Sequence, residues 1–251
     1  MIEITDHGPV RELRLARPPA NALNPGLLQR LAQELDAAAR SGARALVISG
    51  RPGMFTGGLD VPELLQLDRQ QMRDAWKVFF DVQARLAASA LPVVAAITGH
   101  SPAGGAVLAL YCDYRVMADG AFKIGLNEVQ VGLCPGPVIY AVLRRLVGAR
   151  HADQVISSGR LLGPAEALEI GLVDRIEPES EVVPAAVAWA QSIAGLPPEA
   201  VAATRKFARQ DLIDLLQGLG PDDYETMVAA WFSDETQRTM RALVERLKKR
   251  G

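Results

Sequence analysis

The stretch Val93-Val94-Ala95-Ala96-Ile97-Thr98-Gly99-His100-Ser101-Pro102-Ala103-Gly104-Gly105 joins an apolar run to a glycine-containing turn. An uninterrupted apolar run of this length, introduced by Pro92, predicts a buried strand. The small apolar residues 103–111 that follow predict a helix packed tightly inside the core. A strand, a tight turn and a helix in this order indicate an α/β protein.

The same arrangement occurs about 45 residues earlier. There the short apolar run 45–48 leads to Phe55-Thr56-Gly57-Gly58-Leu59-Asp60, and residues 62–90 have a mainly helical pattern. Backbone N–H groups in such turns are free to point at a ligand, and two of them converging on one oxygen would form an oxyanion hole. A third segment, Ile124-Gly125-Leu126-Asn127-Glu128, supplies a carboxylate with almost no charged neighbours. Together the three segments suggest enolate chemistry on a thioester.

Strand–turn–helix units recur through residues 1–195, which we expect to form the α/β core. The core begins with a hairpin over residues 2–15 and a helix that Pro25 opens and Gly42 ends. Residues 196–251 contain no convincing strand, and their last helix, predicted over 234–250, is amphipathic. We therefore predict a C-terminal helical region that supports oligomerisation.

Composition excludes several classes of protein. The chain has 251 residues, of which 49% are hydrophobic, and a formal net charge of -2, which argues against a nucleic-acid binder. Cys112 and Cys134 form no C-x-x-C pair, and the three histidines are scattered, so we expect free thiols in a reducing compartment and no metal site. Without an apolar stretch of about 18 residues or a signal-peptide pattern after Met1, we expect a cytoplasmic protein with no membrane partner.

Two other types of loop resemble the second glycine turn. Gly99-x-Ser101 after a strand is similar to the nucleophile elbow of a serine hydrolase, but the next residue, Pro102, lacks the backbone N–H that the elbow requires. Gly99 and Gly104 have the spacing of a phosphate loop, but Gly105-Ala106 replaces its Lys-Ser/Thr pair. The glycines of either turn alone also fit a simple role in tight turning.

Several segments together resemble the crotonase (enoyl-CoA hydratase/isomerase) superfamily. They are PPANALN (18–24), FTGGLD (55–60), TGHSPAGGAVLALYCDYRVMA (98–118), IGLNEVQVGL (124–133) and GPAEALEIGLVDRI (163–176). The resemblance implies a spiral of ββα units followed by a helical trimerisation region. It also implies trimers or dimers of trimers.

The resemblance assigns roles to residues by position. The N–H groups of Leu59 and Gly104 match the family's oxyanion donors, which would hold the thioester oxygen of an acyl-CoA. Other positions expected at the substrate are Thr56, Gly57, Gly58, Asp60 and Val107. Asp60 also fits a cap of the following turn.

Glu128 matches one of the two glutamates that family hydratases use, and Val107 stands where the other would be. Valine can neither orient water nor transfer its protons, so the sequence favours the single-glutamate Δ3,Δ2-enoyl-CoA isomerases. The alternatives are a hydratase or other crotonase-fold enzyme, and a non-catalytic acyl-CoA binder. Coenzyme A would be part of the substrate, and no separate cofactor is expected.

Three further interpretations concern the surroundings of the site. The apolar residues Ile124, Leu126, Val129 and Val131 are expected to surround Glu128 and raise the pKa of its carboxyl group. The cluster formed by Trp76, Phe79 and Phe80 fits either an acyl tunnel or ordinary core. Arg205 and Lys206 fit either contacts to the phosphates of CoA or a solvated face.

Overall fold

The computed structural model describes residues 1–249, so Arg250 and Gly251 of the predicted C-terminal region lie outside the described residues. The strands are β1 (Ile2–His7), β2 (Val10–Leu15), β3 (Ala45–Ser49), β4 (Gly53–Met54), β5 (Val93–Ile97), β6 (Gly99–Pro102), β7 (Tyr114–Ala118), β8 (Ile124–Gly125) and β9 (Arg175–Glu177). The α-helices are α1 (Pro25–Arg40), α2 (Val61–Leu64), α3 (Arg69–Ala88), α4 (Gly104–Leu110), α5 (Pro137–Ser158), α6 (Pro164–Glu169), α7 (Val182–Ala194), α8 (Pro198–Ala208), α9 (Gln210–Gln217), α10 (Pro221–Trp231) and α11 (Asp234–Lys248). Short 3₁₀ helices cover Glu128–Val131 and Glu179–Glu181.

The strands form two sheets. Six strands lie in the order β1-β2-β3-β5-β7-β9, in which only the β1–β2 hairpin is antiparallel. The other three lie in the parallel order β4-β6-β8. From β3 to α5, each of three turns of the chain adds one strand to each sheet and then a helix. The predicted spiral of ββα units is therefore confirmed.

The six-stranded sheet is covered on both faces, because every residue of its central strands β3 and β5 is buried. One face packs against α7, where Val47 and Val94 meet Val182 and Ala186. The opposite face belongs to the main core, which it shares with α1, α3 and α4. The site described below lies on this second side.

The helical region over residues 62–90 divides into two helices because polar side chains start each one. Asp60 caps α2 by accepting a hydrogen bond from the Glu63 N–H at 3.1 Å. Asp68 caps α3 by accepting from the Gln71 N–H, and the Gln71 side-chain oxygen accepts from the Asp68 N–H, which completes a capping box. This capping fixes the start of α3, whose buried face carries Phe79 and Phe80.

The helices after residue 195 pack against the same core as the spiral. Leu212, Ile213 and Leu216 of α9 belong to the main hydrophobic cluster, and both α9 and α10 lie against α3. The predicted boundary falls in the short connection between α7 and α8. Within residues 1–249 the C-terminal helices thus complete the core, and their role in oligomerisation stays a prediction.

Arg205 is a structural residue, so both interpretations of it from the sequence were wrong. It is 7% exposed, and its guanidinium donates to both carboxylate oxygens of Asp113 at 3.1 and 2.9 Å. It also donates to the carbonyl oxygens of Leu86, Ala87 and Ser89 at the end of α3. Arg205 therefore links α8 to α3 and to the residue just before β7. Lys206, the next residue, is exposed.

We expect the substitution Arg205→Ala to lower the free energy of unfolding by about 3–5 kcal/mol, because it removes the donor to three carbonyl oxygens at the end of α3 and one of the two arginines that pair with Asp113. Urea denaturation monitored by tryptophan fluorescence measures this loss. The neighbouring Lys206→Ala is the matched control, with an expected change within about 0.5 kcal/mol. A loss below about 1 kcal/mol in Arg205→Ala would contradict the structural role.

Candidate active site

The two glycine turns pack closely against each other. Gly58 has a φ of +85°, and a Cβ atom there would lie 3.1 Å from the Pro102 carbonyl oxygen and 3.4 Å from the Gly104 nitrogen. A Cβ atom on Gly104 would lie 3.5 Å from the Leu59 nitrogen. The structure therefore brings Leu59 and Gly104 together, although 45 residues of chain separate them.

The backbone N–H groups of Leu59 and Gly104 take no part in the hydrogen bonds of the fold. Neither donates to a protein acceptor within residues 1–249, whereas the neighbouring Asp60 N–H donates to the Leu23 carbonyl at 3.0 Å. Gly104 is the first residue of α4, where N–H groups have no partner inside the helix. Two free donors side by side can hold an oxygen that gains negative charge. Their function as an oxyanion hole stays a prediction.

Ala103 fixes the peptide that carries the Gly104 N–H. Its φ of +47° lies in a region that residues with a Cβ atom rarely adopt, at a cost on the order of 1–3 kcal/mol. The Ala103 N–H donates to the Gly125 carbonyl at 2.8 Å, which ties the preceding Pro102–Ala103 peptide to β8. The sequence gives no signal at this position, because alanine is not a residue that marks a left-handed conformation.

Residues 20–24, a segment we call the brace, are hydrogen-bonded to the first glycine turn. The Gly57 N–H donates to the Ala20 carbonyl, and the Leu23 N–H donates to the Gly58 carbonyl, both at 2.8 Å. The fully buried Asn21 donates through Nδ2 to the Phe55 carbonyl at 3.1 Å. The brace thus fixes the backbone on both sides of Gly58.

The side chains of Thr56 and Asp60 take part in the same support. Thr56 is fully buried, and its hydroxyl donates to the Asn21 carbonyl and accepts from the Gly58 N–H. Asp60 caps α2 and forms an ion pair with Arg17 at 2.6 Å. Both side chains are therefore occupied by the protein itself, and they act on the predicted site by positioning Leu59. The expected capping by Asp60 is confirmed.

Glu128 lies in one pocket with Leu59 and Gly104. It begins the 3₁₀ helix that follows β8, which pairs with β6, so the topology of the small sheet places it beside the second glycine turn. The pocket has a volume of about 70 Å³, and Met227 and Ala230 of α10 close its far side. The two predicted donors and the predicted acid/base group are therefore brought together.

The carboxylate of Glu128 is poorly solvated. Its Oε2 atom is buried and has no hydrogen-bond partner in the described part of the chain. Burial raises the pKa of Glu128 from its ordinary 4.5 to about 7, against the opposing effect of its own backbone N–H. A carboxylic acid with a pKa near neutrality can both accept and return a proton.

The apolar surroundings of Glu128 include side chains of α3, and the sequence-based account of them was partly wrong. Ile124 and Leu126 are buried as expected, but Val129 is 40% exposed. The pocket wall is instead formed by the aromatic cluster of Trp76, Phe79 and Phe80, which stack edge to face. The helical spacing of these three aromatic residues in the sequence is the same for a pocket wall and for ordinary core.

Val107 and Ser101 both lie away from the pocket wall. Val107 is fully buried on α4 within the main core and does not line the pocket, and its contact with substrate stays a prediction. Ser101 is also fully buried, and a Cβ atom on Gly105 would lie 2.9 Å from its Oγ atom. An enclosed hydroxyl group of this kind does not fit a hydrolase nucleophile.

A larger cavity lies elsewhere in the described part of the chain. A cavity of about 640 Å³ between α5, α7, α8 and α9 contains none of the predicted site residues. Within residues 1–249, no group of three or more His, Cys, Asp and Glu side chains is placed to bind a metal ion. No helix in that range combines the length and the apolar composition needed to cross a membrane.

The chain matches a known protein family over nearly its whole length. The family model for enoyl-CoA hydratase/isomerase matches residues 5–250. The chain therefore belongs to the enoyl-CoA hydratase/isomerase family, the crotonase superfamily that its motifs resemble.

Its relatives include proteins named for both reactions. The chain is 32% identical to human mitochondrial enoyl-CoA delta isomerase 1 over 95% of its own length and 80% of that protein. It is 36% identical to the probable enoyl-CoA hydratase echA17 of Mycobacterium avium, over 77% of this chain and 75% of that protein. The crystal structure of human mitochondrial delta3-delta2-enoyl-CoA isomerase superposes with a TM-score of 0.94 at 32% identity, covering 99% of this chain and 98% of that one.

We expect Gly58→Ala to reduce both stability and ligand binding, because the new methyl group meets the second glycine turn and the left-handed φ disfavours alanine. Gly8→Ala is the matched control, since Gly8 has a φ of +65° but no atom lies within 4 Å of the position that its new methyl group would take. The loss in free energy of unfolding for Gly58→Ala should exceed that for Gly8→Ala by at least about 1 kcal/mol. Equal losses in thermal or urea denaturation would show that the two turns are not in tight contact.

The raised pKa of Glu128 also predicts how stability changes with pH. Because the pKa is higher in the folded state, ionisation opposes folding, and stability present below pH 4.5 is lost as the pH rises towards 7. The neutral Glu128→Gln variant should escape this loss and gain about 2–3 kcal/mol relative to the unsubstituted protein between about pH 5 and about pH 8. Parallel denaturation curves at the two pH values measure the difference. A difference in free energy of unfolding between the two proteins that is the same at both pH values would contradict the buried, unpaired carboxylate.

Proposed function

We propose that this protein is a Δ3,Δ2-enoyl-CoA isomerase, which converts a 3-enoyl-CoA into the trans-2-enoyl-CoA during fatty acid β-oxidation. The observation that carries the proposal is the pocket with one carboxylate, Glu128, and two free N–H donors on Leu59 and Gly104. No second carboxylate occurs among the residues of the described chain that line it. Moving a double bond requires one base that reaches two carbons.

The proposed reaction transfers one proton and leaves the thioester intact. The Glu128 carboxylate removes a proton from C2, and the electron pair of that C–H bond forms a dienolate with its negative charge on the thioester oxygen. The N–H groups of Leu59 and Gly104 stabilise this charge as it develops. The protonated Glu128 then returns the proton to C4, which leaves the double bond between C2 and C3.

The environment of Glu128 supports both halves of this transfer. A pKa of about 7 keeps a useful fraction of the carboxylate ionised at neutral pH, while the protonated form remains acidic enough to return its proton. The aromatic wall of α3 excludes water from the dienolate, which strengthens its attraction to the N–H donors. Coenzyme A enters as part of the substrate, and the proposed reaction needs no further cofactor.

Two alternatives remain open to test. Hydration is supported by the relatives named as probable hydratases, but it would need a second group to orient water, and Val107 is apolar and enclosed. A non-catalytic acyl-CoA binder would keep the pocket and the donors without turnover.

Assembly into trimers or dimers of trimers, in the cytoplasm, belongs to the same proposal. The exposed Phe207 and Leu247 on the C-terminal helices support an assembly surface.

The decisive experiment incubates the purified protein with 3-enoyl-CoA and, separately, with 2-enoyl-CoA. Formation of conjugated product from the first, followed by its ultraviolet absorbance, with little hydration of the second, is the expected result. The plot of kcat/KM against pH should rise with a midpoint near 7 as Glu128 ionises. Rapid hydration of 2-enoyl-CoA would overturn the assignment in favour of a hydratase.

The Glu128→Gln variant serves as the matched control in the same assay. It should lower kcat/KM at least about a hundredfold, because the amide cannot accept the C2 proton. Binding of a saturated acyl-CoA should change only a few-fold, since the N–H donors are unaltered. Isomerisation that persists in Glu128→Gln would remove this residue from the mechanism, and binding without turnover in either protein would favour the silent binder.

A further inference from the structure

We propose that Trp76 closes the inner end of the pocket and restricts it to short acyl chains. The proposal rests on the acyl-CoA function given above and adds the length of chain that the pocket accepts. It follows from two neighbouring cavities and from the way in which the indole ring between them is held.

The active-site pocket has a second, smaller cavity behind it. This cavity, of about 10 Å³, lies between α1, α2 and α3. Leu59, Trp76 and Phe79 line both spaces, so these three side chains separate the two. Apart from them, the smaller cavity is lined only by apolar residues, among them Leu23, Leu64 and Met72.

Of the three separating side chains, Trp76 is the one that neither belongs to the glycine turn nor is fully buried in the core. Leu59 belongs to the turn that carries the proposed N–H donor, and Phe79 is almost fully buried in the core. Trp76 is half-buried, and its ring is held by edge-to-face contacts with Phe79 at 5.9 Å and Trp231 at 6.3 Å. Its indole N–H has no acceptor within residues 1–249. Trp76 can therefore change without breaking a hydrogen bond.

The size of the pocket gives the expected limit. A water molecule needs roughly 10–15 Å³ of such volume, so about 70 Å³ corresponds to about five to seven atoms of that size. An acyl chain of about six carbons fills this space. Further methylene groups meet the indole ring of Trp76.

Phe80 offers a competing exit from the pocket. It lines the active-site pocket on one side and, on the other, an open groove that also contains Lys77 and Asp81. A chain that passed Phe80 would keep its methylene groups near water and charge. The space behind Trp76 is entirely apolar, so an extended chain gains more there.

The test measures binding of saturated acyl-CoA thioesters from four to twelve carbons by isothermal titration calorimetry. Each methylene group moved from water into an apolar pocket improves affinity about fourfold. In the unsubstituted protein this gain should stop at about six carbons. In Trp76→Ala and in the more conservative Trp76→Leu, it should continue for at least two more carbons. In Phe80→Leu, where another aromatic residue of the same helix is replaced, the gain in affinity should end at the same chain length as in the unsubstituted protein.

Several results would overturn the proposal. The stopping point is the chain length beyond which affinity no longer improves. The proposal fails if the stopping point of folded Trp76→Leu is unchanged, or if that of the unsubstituted protein lies well above six carbons. It also fails if Phe80→Leu lengthens the accepted chain as much as the Trp76 variants do. Because saturated thioesters do not react, this result is separate from the isomerase assay. A shift in stopping point without isomerisation retains Trp76 and rejects the proposed reaction. Isomerisation with an unchanged stopping point retains the reaction and rejects the role of Trp76.

Discussion

Direct contact between the two glycine turns organises the whole site. A Cβ atom on Gly58 would lie 3.1 Å from the Pro102 carbonyl oxygen and 3.4 Å from the Gly104 nitrogen, closer than side chains normally approach. The parallel pairing of β4 with β6 aligns the two turns, since each follows one of these strands. Because backbone atoms meet directly, two N–H groups from distant parts of the chain lie next to each other and next to Glu128.

Much of the fold around this contact serves to hold it still. The brace of residues 20–24 fixes the first turn by backbone hydrogen bonds, and the β8 carbonyl of Gly125 fixes the second through Ala103. The C-terminal helices contribute as well, because α10 packs on α3 and closes the pocket with Met227. Donors held in place before a ligand arrives require no reorganisation during the reaction, which is why rigid support matters for stabilising charge.

The site also carries features that oppose folding. Ala103 adopts a left-handed backbone conformation, and Glu128 has a carboxylate oxygen buried without a partner in the described chain. Each costs on the order of 1–3 kcal/mol, which is a sizeable part of the stability of a typical domain. The apolar core on both faces of the six-stranded sheet offsets these costs. Costs of this kind concentrate at functional sites, and here both lie within the pocket region.

Local signals in the sequence were enough to predict an α/β core, the two glycine turns and a poorly solvated carboxylate at Glu128, whereas the ββα spiral and the role proposed for Glu128 came from the resemblance of several motifs to the crotonase superfamily. Apolar runs and glycine positions report on their own segment of chain, which is why they predict strands and turns. Packing between distant segments was needed to establish which side chains surround Glu128, that Arg205 is buried on Asp113, and that Val107 faces the core. Periodicity shows that a residue is buried, but it cannot show what lies opposite. The aromatic residues of α3 become a pocket wall only because α10, about 150 residues later in the chain, packs across them.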